Sequence, residues 1–554
     1  MADTLRPPLQ PSSRPSHNEP SPDDLQKLKA WHEERLQRKL RGEYESERLH
    51  LAQLVNDSLD APLRIASVRV QGANHTSQSF LGWLIRPHLA PFTRPPQLDP
   101  DAPPPTAQST LHTVLQTTRG ISHTLSATDL FRDLSARIER ANTGTMGGVG
   151  RDDEVDVVFD VKERGRFFLK SSTEIGNGEG SASLTARLTN ILGCADTFSL
   201  NTSLGTKTKR AFDASFSLPI SSSLSIPSPS HPFPALSTHA FLGVVGTERE
   251  LGVQGGGGQE ERVAVRGGVR YSGGGGLGGM HELTAEGIWR CIGGLSADAG
   301  ITIRQSAGPS LKASLAHTYT RDTLDDRVMP RRGAWMRLVN ELAVGGRVLS
   351  DPFPVSGLGS SSPLGGLFGL TKGVGSMGEE QVAFWRTEGE LRKGLGLGSG
   401  AVLTLSARAG HLNVLSGDAD AVHYSDKFFL GGPLSVRAFS VGGMGAREGV
   451  TSIGGDLYYA LGLSLLGNVP GKREWPVKLH GWVNAGRVQG VGEGAALSQT
   501  LHHAIIHPSI SVGLGLVYRF DPARVELNFG LPIVAAKGET LRRGVSVGVG
   551  LEFL

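Results

Sequence analysis

The chain has 554 residues, and its 56 Lys and Arg nearly balance its 53 Asp and Glu, so a net charge of +3 gives no reason to expect nucleic acid as a partner. Only two cysteines occur, Cys194 and Cys291, which excludes a disulfide-bonded scaffold and a cysteine-rich zinc module. Glycine is abundant, with 75 residues, or about 14% where about 7% is usual.

Residues 1–62 are predicted to be a polar tail followed by a charged helix. The tail is proline-rich and lacks the apolar stretch of a cleavable secretory signal. Ser21 is a suitable N-cap for a helix that begins at Pro22, and the acidic residues that follow suit the positive end of the helix dipole. The partial apolar stripe of this helix fits either a solvated helix or one that docks on a partner.

Residues 63–165 are predicted to form a small α+β domain with the element order β-α-α-β-β. A first strand ends near Gly72, and two helices follow, separated by a proline-rich segment at 91–105. Two strands then close the domain, because apolar and polar residues alternate there with the period of a strand. The clearest alternation comes from Val155, Val157, Phe159 and Val161.

From residue 166 to 554, short segments alternate apolar and polar residues between turns rich in Gly, Ser, Pro and Asn. In one such segment Arg524, Glu526 and Asn528 share a face, opposite an apolar face. Charged and small residues on one face fit a wide, wet lumen, and the apolar face fits lipid. The pattern predicts a transmembrane antiparallel β-barrel of about 16 strands, with 281–321 as the ambiguous part. No stretch is long and apolar enough for a transmembrane helix.

The most specific motif is KFFLGGPLSVRAFSVGG, residues 427–443, in a long loop at about 413–450. It resembles the Val-Arg-Gly-Phe/Tyr signature of the superfamily of outer-membrane-protein insertases and two-partner secretion pores, whose long loop folds back into the barrel lumen. The signature positions are occupied by Val436, Arg437, Ala438 and Phe439. If the usual glycine supplies a positive φ, Ala438 strains the turn by about 1 kcal/mol.

An arginine buried in a lumen needs a partner. In relatives this partner is often an aspartate on the matching strand, but the segment WVNAGRV (482–488) has Asn484 at that place, followed by Gly486. Two possibilities remain open: Asn484 accepts a hydrogen bond as a neutral group, or another lumenal acid serves. Asp456 and Glu526 are both candidates for that acid.

Further segments resemble the mitochondrial branch of this superfamily, the central barrel subunits of the sorting and assembly machinery (SAM), in their fungal form. These segments are the hairpin with an Asp-rich turn at 317–343, the WVNAGRV strand and the first barrel hairpin at 174–193. The unit at 63–163 matches the family's single polypeptide-transport-associated (POTRA) domain in order and position. The resemblance covers residues 63–554.

The two ends of the predicted barrel carry the features of a closing seam. The C-terminal pattern fits the β-signal of mitochondrial outer-membrane barrels at Ser546, Gly548, Leu551 and Phe553. The first two of these residues lie on one face of the strand and the last two on the other. Glycine weakens a strand, so Gly176, Gly178 and Gly180 at the first hairpin fit a join that opens easily.

The resemblance implies an insertase that folds β-barrel precursors into the mitochondrial outer membrane by strand templating at a lateral gate between the first and last strands. It implies that the POTRA domain lies in the intermembrane space. The implied partners are β-barrel precursors, membrane lipid and two smaller peripheral SAM subunits, with no nucleic acid. We expect no covalent catalysis, no cofactor and no metal.

Two other classes remain as alternatives. A protein-translocating pore of the same superfamily would use the lumen as its path, although two-partner secretion pores usually carry two POTRA domains and import channels three. A soluble glycine-rich β protein would not need the arginine loop. His502, His503 and His507 have a metal-like spacing, but no acidic residue lies near them in the sequence, so we do not expect a zinc site.

Overall fold

The computed structural model divides the chain into two compact units, residues 1–74 with 81–163 and residues 75–80 with 164–554. Within these units the residues described are 22–40, 56–89, 110–141, 153–176, 179–220, 238–252, 255–273, 278–327, 329–348, 377–398, 400–433, 435–471, 475–491, 497–520 and 523–550. Leu551, Phe553 and Gly178 therefore lie outside the described residues. No helix in the described ranges is both long and apolar enough to cross a membrane.

Among the residues that the structure describes, the first unit contains a three-stranded sheet and three complete helices. In chain order they are α1 (Pro22–Leu40), β1 (Arg64–Gln71), α2 (Gln78–Leu89), α3 (Leu111–Ala127), β2 (Phe131–Arg140) and β3 (Glu154–Glu163). Strand β3 is central, parallel to β1 and antiparallel to β2. From β1 onward this order confirms the predicted α+β domain, and it is consistent with a POTRA domain.

The core of this unit explains the sequence pattern of its central strand. Val157, Val158 and Phe159 of β3 are fully buried, because this strand has neighbours on both sides. His88 of α2 is buried as well and shares a 2.8 Å hydrogen bond with Thr124 Oγ1 of α3. Burial, with a smaller contribution from nearby His123, lowers the pKa of His88 to about 4, so this link between the helices is neutral at pH 7.

The second unit is a transmembrane β-barrel made from a sixteen-stranded antiparallel sheet. Its strands are β4 (Phe167–Gly176), β5 (Glu179–Thr189), β6 (Thr197–Gly205), β7 (Thr208–Pro219), β8 (Thr238–Glu250), β9 (Gln259–Gly273), β10 (Gly279–Gly293), β11 (Gly308–Asp322), β12 (Ala334–Val348), β13 (Met377–Gly398), β14 (Ala401–Ser416), β17 (Leu457–Asn468), β18 (Val477–Gln489), β19 (Ser509–Phe520), β20 (Ala523–Val534) and β21 (Gly544–Gly550). The short strands β15 (Arg447–Glu448) and β16 (Thr451–Ser452) pair with each other in the loop before β17. The ambiguous region 281–321 resolves into β10, the short helix α4 (Ile301–Gln305) and β11.

Alternation along the strands separates the lumen from the lipid-facing surface. On β17, Tyr458, Ala460 and Ser464 are buried on the lumen side. The intervening leucines, Leu461 and Leu463, are 49% and 42% exposed on the outside. A polar, filled interior with an exposed apolar exterior is the arrangement of a barrel whose outer solvent is lipid.

Antiparallel strands place alternate connections at the same end of the barrel. Among the long connections at one end, here called the loop end, are 294–307, 417–456, 490–508 and 535–543. The connection at 490–508 contains the helix α5 (Leu497–Ile506).

The two ends of the sheet, β4 and β21, form the seam of the barrel. They come within 8 Å of each other between Cα atoms. In the described part of the chain, however, no hydrogen-bonded register joins them, whereas every other neighbouring pair in the sheet has one. Gly176 is the last residue of β4, and Gly180 of β5 stands opposite Ile175 in the first hairpin. Within the described residues, the outer edges of β4 and β21 therefore have no ladder partner.

Candidate functional site

The connection at 417–456, here called the inward loop, folds into the barrel lumen. It begins and ends later than the predicted 413–450, because β14 continues to Ser416 and β17 starts only at Leu457. Val436 and Phe439 are fully buried in one apolar cluster with lumen-facing residues of the wall. That cluster includes Phe384, Leu412, Tyr458, Ala460 and Val488. The loop is thus held in place by apolar packing as well as by polar contacts.

Arg437 lies at the centre of a buried polar cluster, here called the Arg437 site. The side chain is 1% exposed, and it donates hydrogen bonds to Asn484 Oδ1 at 3.2 Å and to Glu526 Oε2 at 3.0 Å. Its guanidinium also lies 5.3 Å from the ring centroid of Trp482. Both predicted kinds of partner are therefore present together, a neutral acceptor and a lumenal acid.

Of the two candidate acids, Glu526 pairs with Arg437 and Asp456 binds elsewhere. Asp456 Oδ2 accepts a hydrogen bond from the backbone N–H of Val491 at 3.1 Å, at the end of β18. Glu526 is fully buried on the lumen side of β20. A charge-assisted pair in such a buried place is stable only while both partners remain.

Additional polar residues fix the acceptors of the Arg437 site. Asn528 Nδ2 donates to Glu526 Oε2 at 2.7 Å, and Trp482 Nε1 donates to Asn528 Oδ1 at 3.2 Å. Ser511 Oγ donates to the backbone oxygen of Arg437 at 2.6 Å. The cluster therefore joins the inward loop to three neighbouring strands, β18, β19 and β20.

Gly486 allows the inward loop to pack closely against β18. A Cβ at this position would lie 2.9 Å from Leu430 Cδ2 and 3.1 Å from Val436 Cγ2 of the loop. It would also lie 3.0 Å from the backbone oxygen of Tyr459 on the next strand, which cannot move freely. We propose that the glycine of the WVNAGRV segment is needed as a seat for the loop.

Ala438 adopts the left-handed backbone conformation that the glycine of the signature would favour. Its φ is +66°, and its side chain is buried beside Gly530. A non-glycine residue in this region is strained by about 1–3 kcal/mol, and removing its buried methyl group costs about 0.8 kcal/mol.

We expect Ala438→Gly to stabilise the protein by about 1 kcal/mol, because relief of the strained turn outweighs the lost methyl contact. Unfolding of the full-length protein in detergent micelles by denaturant would measure this change. Ala446→Gly is the matched control, since Ala446 lies in the same loop without a positive φ. Equal or lower stability of Ala438→Gly than of the unchanged protein would contradict the strain.

The tip of the inward loop pairs with the chain just before the last strand. Ser440 N–H donates to the backbone oxygen of Thr540 at 3.0 Å, and Thr540 N–H donates to that of Gly443 at 2.8 Å. Arg542 N–H donates to the backbone oxygen of Ala438 at 2.9 Å. No sequence pattern predicted this short ladder, because backbone pairing between two loops leaves no periodic signal. It connects the Arg437 site physically to the seam.

A second buried ion cluster anchors the start of the inward loop to the opposite wall. Asp426 accepts hydrogen bonds from Arg290 of β10 at 2.6 Å and from Lys312 of β11 at 2.8 Å. Burial by itself would raise the pKa of this loop carboxyl, but the two cations outweigh it and hold the pKa far below its usual range. Lys312 also contacts Glu341 of β12 at 2.7 Å. The loop thus bridges the lumen between two buried charged contacts.

The closing strand stands directly beside the Arg437 site. In the register of β20 and β21, Gly548 lies opposite Glu526, and Ser546 lies opposite Asn528. Of the glycines predicted for the first-strand seam, Gly176 ends β4, whereas Gly180 lies in β5, one strand away from the seam. Among the described residues, no group of three or more His, Cys, Asp or Glu is arranged to hold a metal ion. The arrangement therefore offers strand edges beside a buried tether.

Comparisons with known proteins agree with this architecture. Residues 190–553 match the Omp85 superfamily domain. A SAM50-like protein of Schizosaccharomyces pombe is 29% identical over 511 residues, which are 91% of this chain and 94% of that protein. The sorting and assembly machinery component 50 homolog of Homo sapiens is 27% identical over 406 residues, 72% of this chain and 76% of that protein. The crystal structure of BamA from Haemophilus ducreyi lacking POTRA domains 1–3 shares the fold, with a TM-score of 0.61 at 14% identity, over 88% of this chain and 85% of that one.

Proposed function

The chain belongs to the Omp85 superfamily, and from this premise we propose that it is an insertase that folds β-barrel precursors into the mitochondrial outer membrane. The similarity to sorting and assembly machinery proteins supports the choice of membrane and of client. The observation that carries the mechanism is the seam, where β4 and β21 lie close without a hydrogen-bonded register among the described residues.

A lateral gate at this seam would lower the main barrier to barrel insertion. A precursor strand that enters lipid with unpaired backbone groups costs several kcal/mol for each group. The free edges of β4 and β21 can pair with the strands of a client by β-augmentation, so that its backbone groups are satisfied as it enters the membrane. The client would then grow hairpin by hairpin between the two edges and leave sideways.

The inward loop would hold one side of the gate while the other moves. Its tip pairs with residues 540–542, directly before β21, and Arg437 pairs with Glu526 on β20. The base of the last hairpin is therefore tied to the lumen, although the outer edge of β21 is free to exchange partners. In this arrangement Val436, Arg437, Ala438 and Phe439 are positioning residues, and Asn484 and Gly486 form their seat.

The POTRA domain would lie in the intermembrane space, where precursors approach, and two smaller peripheral SAM subunits would bind the barrel. The first strand begins at the end of the barrel opposite the loop end. Residues Ser546 and Gly548, with Leu551 and Phe553, would act as the strand signal of this barrel itself. We propose no cofactor.

Disulfide cross-linking of a stalled precursor in isolated mitochondria tests the gate. Single cysteines would replace Ser171, Thr173, Val545 or Val547 at the seam, in a chain whose Cys194 and Cys291 are changed to serine. We expect cross-links that advance in register along both edges as the client grows. Ser314→Cys, which faces the lumen cavity, is the control and should remain unlinked.

The alternative function, a protein-translocating pore of the same superfamily, predicts the reverse pattern. Its substrate would contact Ser314 and other lumen-facing positions and would leave the seam cysteines unlinked. That result would overturn the insertase mechanism. The lumen does contain a polar cavity lined by charged residues, among them Arg262, Glu286 and Arg386. The inward loop, however, crosses the lumen between two buried anchors, which favours the gate over a continuous path.

A further inference from the structure

Helix α5 lies on the outer surface of the barrel at the loop end. Tyr459 Oη donates a hydrogen bond to the backbone oxygen of Ala504 at 2.9 Å. Gln489 Nε2 donates to that of Thr500 at 2.8 Å. Tyr459 belongs to the same row of β17 as Leu461, and its register partner is Arg487 of β18. This row faces outward, because the alternate residues Tyr458 and Ala460 are buried in the lumen.

The exposure of the outward row changes where the helix lies. Leu461 and Leu463 are 49% and 42% exposed, whereas Leu457, in the same row at the loop end, is 7% exposed. Two residues along a strand cover about 6.6–6.8 Å, so Tyr459, whose hydroxyl contacts Ala504, lies one such step from Leu461, the first of the exposed leucines. Helix α5 is therefore continuous with the lipid-facing belt of the barrel.

The surface of α5 has the composition of an interfacial helix. Thr500 and Ala504 face the barrel, while Leu501 and Ile505, four residues apart, form an exposed apolar stripe on one flank. Gln499, His503 and His507 share the opposite flank. The segment from Leu497 to Pro508 contains no acidic residue, and Arg487 lies on the adjacent outward row. An apolar flank beside a neutral-to-basic flank suits a helix lying in the headgroup layer.

We propose that α5 is a membrane-interface anchor, whose Leu501 and Ile505 insert into the lipid at the loop end of the barrel. The occupant of this surface is the bilayer, because the stripe continues the lipid-facing belt of β17. The anchor would hold the part of the barrel wall that carries Asn484 at a fixed depth in the bilayer. The seat of the inward loop would then stay at the same depth. The inference rests on the membrane placement of the barrel and does not depend on insertase activity.

Fluorescence quenching in nanodiscs tests this anchor. The full-length protein, with Cys194 and Cys291 changed to serine, would carry an environment-sensitive NBD label at Ile505→Cys or, as the matched control, at Gln499→Cys. We expect phosphatidylcholine with a nitroxide on carbon 5 to quench the label at position 505 by about threefold or more relative to position 499. Iodide in the water should quench the label at position 499 more strongly than the label at position 505.

The outcomes separate lipid from a protein partner. A label at position 505 that iodide quenches and the nitroxide lipid does not would overturn the proposal, and would leave the stripe open to a peripheral protein. A variant with Leu501→Ser and Ile505→Ser should keep the barrel folded, because both side chains are exposed. In this variant, an NBD label at Ile506→Cys should lose its quenching by the nitroxide lipid and become open to quenching by iodide. Precursor cross-linking at the seam is read out separately, so failure of the anchor and failure of the gate are distinguishable.

Discussion

A disulfide that joins β4 to β21 is expected to stop precursor insertion, with a decrease of about tenfold or more that dithiothreitol reverses. Outward-facing positions are suitable because their register partners on the neighbouring strands are exposed apolar residues. Ser171 stands opposite Leu184, and Val547 stands opposite Leu527. Val547→Cys would be combined in turn with Leu169→Cys, Ser171→Cys or Thr173→Cys. The combination that forms a disulfide on oxidation identifies the register of the seam. Imported precursor that assembles in isolated mitochondria is the measurement.

The control for this experiment keeps one cysteine and moves the other. Ser171→Cys with Leu184→Cys joins β4 to β5, which already form a hydrogen-bonded ladder, and leaves the seam free. This variant should insert precursors normally under both oxidising and reducing conditions. If the seam disulfide forms fully and insertion continues at the normal rate, the client does not pass between β4 and β21, and the lateral gate is wrong.

The strands of the barrel were predictable because their pattern is local. Alternation of period two follows from strand geometry alone, so it identifies each strand without knowledge of its neighbours. Counting these segments predicted about 16 strands, and the structure contains a sixteen-stranded sheet. The region 281–321 was ambiguous for a physical reason: the connection between β10 and β11 includes the short helix α4, which interrupts the spacing.

The partners of the inward loop were only partly predictable, because they depend on register between distant segments. The sequence identified Arg437 and two candidate acids, but the choice of Glu526 over Asp456 follows from where β20 and the loop tip meet. The contacts of Asp426 with Arg290 and Lys312 left no motif at all, since these residues are far apart in the chain and join only across the lumen. Helix α5 was missed because it is short and lies in a connection.

Glu526→Ala is expected to destabilise the protein by about 3–5 kcal/mol, because it leaves the buried guanidinium of Arg437 without its acid. The loss should release the inward loop, expose it to protease and reduce precursor insertion together. Glu526→Gln keeps an acceptor oxygen but removes the charge, so its effect should be intermediate. Denaturant unfolding in detergent micelles and proteolysis of the loop measure the two consequences.

Glu286→Ala is the matched control, because Glu286 also pairs with an arginine on the lumen side, Arg262 at 2.9 Å, but both side chains are partly exposed. A pair of that kind contributes about 0–1 kcal/mol, so its loss should leave the loop and the stability nearly unchanged. A double variant, Arg437→Met with Glu526→Leu, removes both buried charges and should recover most of the lost stability. If insertion still fails in this stable double variant, the ion pair is required for positioning the gate. If Glu526→Ala is no less stable than Glu286→Ala, the Arg437 site does not tether the loop.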